Sequence, residues 1–242
     1  MAALAVVAVA GPAWAGVPYV TDDPGTPAAG RFEINVVSLL TELHDDTTGA
    51  FSSLEVNYGI TDHFQSHFFV PIGFDDASGS AVRVGTGDVE LGFKYRFFDG
   101  DDLGGWNVGT APSVIVPPAG LSHQFGTGTT HLFAPLLVAR QWGAWTLFGE
   151  AGYAFNPGRG NRNWECSYLA FAYDINPRVT VGAEILYNTS QVVGVDGGTG
   201  FNVTTTYNIS ETYHLLASVG RNITHASALN EFTTLLGVQF TF

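Results

Sequence analysis

Phe232-Thr233-Thr234-Leu235-Leu236-Gly237-Val238-Gln239-Phe240-Thr241-Phe242 closes the chain, and its reading decides the fold. Phe232, Thr234, Leu236, Val238, Phe240 and Phe242 fall on one face of an extended strand, and Thr233, Leu235, Gly237, Gln239 and Thr241 on the other. Successive strand side chains point to opposite faces, so one row is continuously apolar and the other mostly small or polar. Strands of about ten residues with a lipid row and a lumen row are what a membrane-spanning barrel requires. The last strand of a soluble sandwich would alternate in the same way, so the rest of the chain has to separate the two.

Composition favours the membrane. Of 242 residues, 45% are hydrophobic and only 13% charged, about half the usual charged share. So few charges would hardly keep a soluble surface in solution, whereas an exterior facing lipid needs none. Thirty Gly, eighteen Phe, nine Tyr and five Trp favour strands and tight turns, and no sustained helical period competes with them. A formal net charge of −13 argues against nucleic acid as a partner. The acid clusters Asp45-Asp46, Asp75-Asp76, Asp101-Asp102, with Asp99 and Asp196, read as solvated loop carboxylates without calcium-loop spacing. A P-loop, a dinucleotide fingerprint and a metal-ligand cluster are all missing from the sequence, so no metal and no cofactor is expected. Cys166 is the only cysteine, which excludes an intramolecular disulfide.

At the front, Ala2 to Ala10 is apolar and Ala13-Trp14-Ala15 is an A-x-A-like cleavage site, so residues 1–15 read as a secretory signal. The segment 16–30 carries Pro18, Pro24 and Pro27, too many for a central strand, and the adjacent carboxylates Asp22 and Asp23 would not choose lipid. It is expected on the periplasmic side, either hanging free or folded into the barrel mouth as a plug. There Lys94 and Arg96 would receive Asp22 and Asp23.

Residues 31–242 read as an all-β, antiparallel, up-and-down transmembrane barrel of about twelve strands. The clearest runs over 88–97, where Val89, Leu91, Phe93, Tyr95 and Phe97 alternate with Asp88, Glu90, Gly92, Lys94 and Arg96. Charge on one face and rings on the other exclude burial of both. The connections over 44–49, 73–87, 117–129, 156–163, 188–200 and 221–231 read as polar loops, mostly long, and those between them are short turns. Long loops outside and short turns inside are the barrel pattern, and an even strand count agrees with it. Tyr58, Phe64, Tyr95, Phe97, Trp106, Trp142, Trp145, Tyr173, Tyr207, Tyr213, Phe240 and Phe242 lie near the short turns, as a periplasmic aromatic girdle would. The ending Phe240-Thr241-Phe242 resembles the terminal signal by which bacterial outer-membrane proteins reach their insertion machinery. That likeness implies the barrel assembly machinery and periplasmic chaperones as partners, membrane lipid as surroundings and the outer membrane of a Gram-negative bacterium as location. A monomer is expected.

Thr21-Asp22-Asp23-Pro24-Gly25-Thr26-Pro27, followed by Gly30-Arg31-Phe32-Glu33-Ile34-Asn35, resembles the opening of a family of outer-membrane transporters labelled "MetA-pathway of phenol degradation". Gly85-Thr86-Gly87-Asp88-Val89-Glu90-Leu91-Gly92-Phe93-Lys94-Tyr95-Arg96 resembles a second signature of that family. The resemblance implies a barrel of transporter type and a link to aromatic catabolism.

Three function classes compete: a channel, a membrane-embedded hydrolase, and an adhesin or structural barrel, the last disfavoured by loops too short for an external domain. A channel for small, hydrophobic or aromatic solutes would be lined by Glu33, Glu55, His67, Asp88, Glu90, Lys94, Arg96, Glu150, Glu165 and Glu184. A barrel of this size can instead fill its interior with paired side chains and conduct little. A membrane-embedded lipid hydrolase is disfavoured: no Gly-x-Ser-x-Gly elbow is present, and His67, His131 and His214 lie on different strands. The expectation is a channel and not an enzyme.

Overall fold

The computed structural model describes residues 16–44, 46–77, 81–117, 125 and 128–242. Residues 1–15, expected to be a secretory signal, lie outside them. Fifteen strand segments follow in order: β1 (Phe32–Glu42), β2 (Asp46–Thr61), β3 (Phe64–Val70), β4 (Ile72–Ala77), β5 (Arg83–Thr86), β6 (Val89–Phe98), β7 (Trp106–Thr110) and β8 (Ser113–Val116). Then come β9 (His131–Trp142), β10 (Trp145–Phe155), β11 (Trp164–Asn176), β12 (Val179–Asn188), β13 (Gly198–Asn208), β14 (Tyr213–Asn222) and β15 (Phe232–Thr241). A single helical turn, α1 (Ala226–Leu229), precedes the last.

All strand pairings are antiparallel, and β1 pairs with both β2 and β15, which closes the sheet into a ring. Among the described residues only the short β5 has a single partner, β4. Segments β3 and β4 are halves of one barrel strand broken at Pro71, β7 and β8 halves of another broken at Ala111-Pro112, and β5 and β6 meet at Gly87-Asp88. Proline has no N–H for the ladder, which explains two of the breaks. Counted this way the barrel has twelve strands.

Two loop expectations are corrected. The stretch 73–87 contains β4 and β5, and 44–49 contains the start of β2, so this hairpin extends beyond the aromatic and apolar band. Polar strand residues are tolerated there because water, not lipid, meets them. Arg83 pairs with Asp75 across that extension.

The exterior is apolar. Leu91, Leu132, Leu136, Leu169, Phe171, Ile185, Val203, Leu215, Val219 and Leu236 all stand exposed on outward positions. Their neighbours Glu90, Phe133, Leu137, Ala170, Glu184, Asn202, Leu216 and Leu235 are buried within. At the short-turn end, Trp145 meets Tyr173 with ring centroids 4.5 Å apart, Tyr213 meets Phe240 at 5.6 Å and Phe32 meets Tyr58 at 4.6 Å. An amphipathic ring is suited to that boundary. The architecture is that of an outer-membrane barrel, its two ends set by the girdle and the long loops.

The last residue helps close the ring. Phe242 N donates to Phe32 O at 3.1 Å, Phe32 N donates to Phe242 O at 2.8 Å, and the two rings stack at 5.8 Å. Two backbone bonds and a ring pair together contribute roughly 2–3 kcal/mol to the seam. Deleting Phe242 is expected to slow insertion and leave chains in the periplasm. The check is the fraction of membrane protein that shifts on heating in electrophoresis; wild-type amounts in the mutant would contradict it.

Candidate functional site

The interior divides into two sectors. On β1, β2, β3 and β6 it is polar: Asn35, Glu55, Asn57, Gln65, His67, Glu90 and Lys94 point inward and are buried. Asn35 Nδ2 and Asn57 Nδ2 each donate to Glu55 at 3.1 Å, and Gln65 Nε2 donates to Asn57 Oδ1 at 3.1 Å. His67 Nδ1 lies 2.8 Å from the same Asn57 oxygen. On β9 to β12 the interior sets the carboxylates Glu150 and Glu184 among apolar groups, with Phe133, Trp164, Cys166 and Tyr168 in one cluster and Ala139, Phe148 and Ala170 in another. Phe133 and Trp164 stack at 5.4 Å, and Trp164 Nε1 is buried without a hydrogen-bond partner.

Residues 16–30 run through this interior. Near the short-turn rim, Gly30 N donates to Gly59 O at 2.8 Å and Ala29 N to Asp62 Oδ1 at 2.9 Å. Further in, Lys94 Nζ donates to Asp22 Oδ1 at 2.6 Å while Asp22 N donates to Glu150 Oε2 at 2.9 Å. Glu184 receives four donors: Val20 N and Thr21 N at 2.9 and 2.8 Å, Thr21 Oγ1 at 2.7 Å and Asn202 Nδ2 at 2.6 Å. Tyr19 meets Phe148 edge-on at 4.9 Å, and Val17 ends among Val37, Phe69, Leu216 and Leu235. The segment thus touches wall strands on every side of the lumen.

Backbone N–H groups need partners wherever water is excluded. Inside a barrel the wall's own ladder has none to spare, so Glu150 and Glu184 supply them. The wall also makes room: a Cβ at Gly182 would collide with the Tyr19 ring, and one at Gly59 with the carbonyls of Pro27 and Ala28. Larger residues at either place would force the segment to shift, and at Gly182 would also press on the wall carbonyl of Phe171.

The residues expected to line the lumen divide as follows. Glu55, His67, Glu90, Lys94, Glu150 and Glu184 are buried inward. Glu33 is half-buried and receives Asn35 and Asn57 at 3.3 Å, and Asp88 is half-buried at the β5–β6 break. Arg96 stands at the rim, where it holds Asp99 at 2.7 Å and Asp62 O at 2.7 Å, so it does not receive Asp23. Asp23 instead accepts from Gly25 N and is half-buried. Glu165 is a correction: it is exposed on the outward row of β11 with Ser167 and Leu169. It lies near the long-loop end, above the lipid band, where an outward carboxylate meets water. The candidate set left out the inward amides Asn35, Asn57 and Gln65, which alternation puts on the polar rows with Glu33, Glu55 and His67, as well as Asn202 and the rings Phe133, Phe148, Trp164 and Tyr168. Register from Lys94 puts Gln65 of β3 on the inward row. The rings gave no signal, because apolar residues stand on both rows of β9, β10 and β11.

No protein-family model matches the chain, and no curated protein sequence does. Solved structures do resemble it. The COG4313 outer membrane channel from Pseudomonas putida F1 superposes with a TM-score of 0.69 at 16% identity, over 91% of this chain and 98% of that one. The NanC porin superposes at 0.61 with 11% identity, over 86% of this chain and 98% of that one. The KdgM porin, in complex with disordered oligogalacturonate, superposes at 0.57 with 14% identity, over 87% of this chain and 99% of that one. At such identities the likeness is one of fold, and the fold is the closed antiparallel barrel of outer-membrane proteins.

Proposed function

We propose that this protein is a monomeric, passive outer-membrane channel for small hydrophobic or aromatic solutes, obstructed by residues 16–30. The observation that carries the reading is the burial of Asp22 between Lys94 and Glu150, with the segment's N–H groups on Glu184. A disordered leader would leave its acids in water. A permanent core would need no charged contacts, since apolar packing fills a barrel at lower desolvation cost. Hydrated charge is the segment's alternative to docking, which makes it displaceable. The rings of Phe133, Phe148, Trp164 and Tyr168 support apolar or aromatic cargo. So does the resemblance of Thr21 to Pro27 and Gly85 to Arg96 to transporters linked with aromatic catabolism. The polyanion held by the KdgM porin is a poor model for the cargo, because Asp22, Glu55, Glu90, Glu150 and Glu184 would repel it.

Single-channel recording in planar bilayers tests the reading, with and without aromatic solutes. Deleting residues 16–27 is expected to raise unitary conductance several-fold. Equal conductance with and without the segment would remove the plug, and silence in both would leave a structural barrel.

A further inference from the structure

We propose that the interior cavity beside Asp22 receives the protonated amine of a ring-bearing organic cation. The proposal rests on the channel reading and names the solute class for it. The cavity measures about 20 Å³, and its lining includes Asp22, His67, Glu90 and Glu150 together with Phe133 and Pro135. A space of that size holds one water, or one ammonium head of the same bulk.

Its polar side consists of unanswered acceptors. Asp22 is 2% exposed, Lys94 occupies Oδ1, and Oδ2 has no partner. His67 is 9% exposed, and its Nε2 has no hydrogen-bond partner, the nearest Glu90 oxygen standing 3.8 Å away. The tautomer follows from Asn57. Its Nδ2 donates to Glu55 and its Oδ1 accepts from Gln65, so His67 Nδ1 donates to that oxygen. A neutral ring then presents Nε2 as an acceptor.

Two buried acceptors on one small cavity call for a group with at least two hydrogens. A primary ammonium has three, and its charge answers the surplus of acid: Asp22, Glu90 and Glu150 face the space against the single cation Lys94. An anion is repelled, and an alcohol has one hydrogen for two acceptors. A metal ion does not suit, because among the described residues no three His, Cys, Asp or Glu side chains are grouped to hold one. The rest of the solute must be apolar and flat. Phe133, stacked on Trp164, lines the same space, and aromatic rings attract both a ring and a cation.

The test is calorimetric titration of the full mature chain, in non-ionic detergent, with 2-phenylethylammonium, 2-phenylethanol, 2-phenylacetate and methylammonium. Flux of the same four compounds is followed in proteoliposomes. The expected result is saturable binding of 2-phenylethylammonium, about tenfold or more tighter than that of the other three. Glu90→Gln is expected to remove most of that preference; His67→Leu serves if that variant fails to insert. Equal affinities for the ring compounds overturn the proposal, as does no binding at all, which leaves water as the occupant. Preferential binding without flux would sink the channel reading alone, and flux without preference would sink this proposal alone.

Discussion

Lys94→Met is expected to release the N-terminal segment from the barrel. Lys94 is 5% exposed and its Nζ lies 2.6 Å from Asp22 Oδ1, with Glu150 close by on the same cavity. Removing the cation leaves a buried carboxylate unanswered, and breaking a buried pair in this way costs about 3–5 kcal/mol. The barrel need not absorb that cost. The segment can withdraw and hydrate Asp22, so the loss should appear as a docking equilibrium constant lowered by about two to four orders of magnitude. Protease cleavage within 16–30 of inserted protein, together with conductance, reads it directly. Adding Asp22→Leu to Lys94→Met should restore docking, because an apolar pair of similar volume replaces a buried ion pair at little cost. Wild-type protection and conductance in Lys94→Met would show that the pair does not hold the segment.

Leu91→Arg is expected to destabilise the inserted barrel by about 2–4 kcal/mol. Leu91 is 44% exposed on the outward row of β6, between Phe68 and Val114 on the neighbouring strands. It lies four residues from the girdle ring Tyr95, roughly 10 Å up a tilted strand, near the middle of an apolar band roughly 25 Å tall. A guanidinium there must shed its water or deform the bilayer. Reversible unfolding in denaturant from lipid vesicles measures the change. A loss under about 0.5 kcal/mol would place position 91 at an interface and contradict the position of β6 in the bilayer.

The wall was legible in the sequence because two solvents act on alternate residues. Leu91 must satisfy lipid and Glu90 must not, so strands 88–97 and 232–242 declare their faces through composition alone. The same contrast marked the aromatic ends and the loops. Where lipid gives way to water the contrast vanishes: Glu165 sits outward near the long-loop end of β11, and polar β4 and β5 read as loop. On β9 it vanishes for another reason, since Leu132 and Leu136 face lipid while Phe133 and Leu137 face other apolar groups inside.

What fills the lumen was decided by the tertiary structure. The sequence supplied Asp22, Lys94, Glu150 and Glu184 as inward or mobile charges, but 72 residues separate Asp22 from Lys94 and 163 separate Thr21 from Glu184. No local rule links such positions. Closure of the ring brings their strands within reach of one short segment, and exclusion of water from that space makes each charge and each N–H find a partner. Two acceptors without a donor, Asp22 Oδ2 and His67 Nε2, belong to residues 45 positions apart that line one cavity only because the segment is docked.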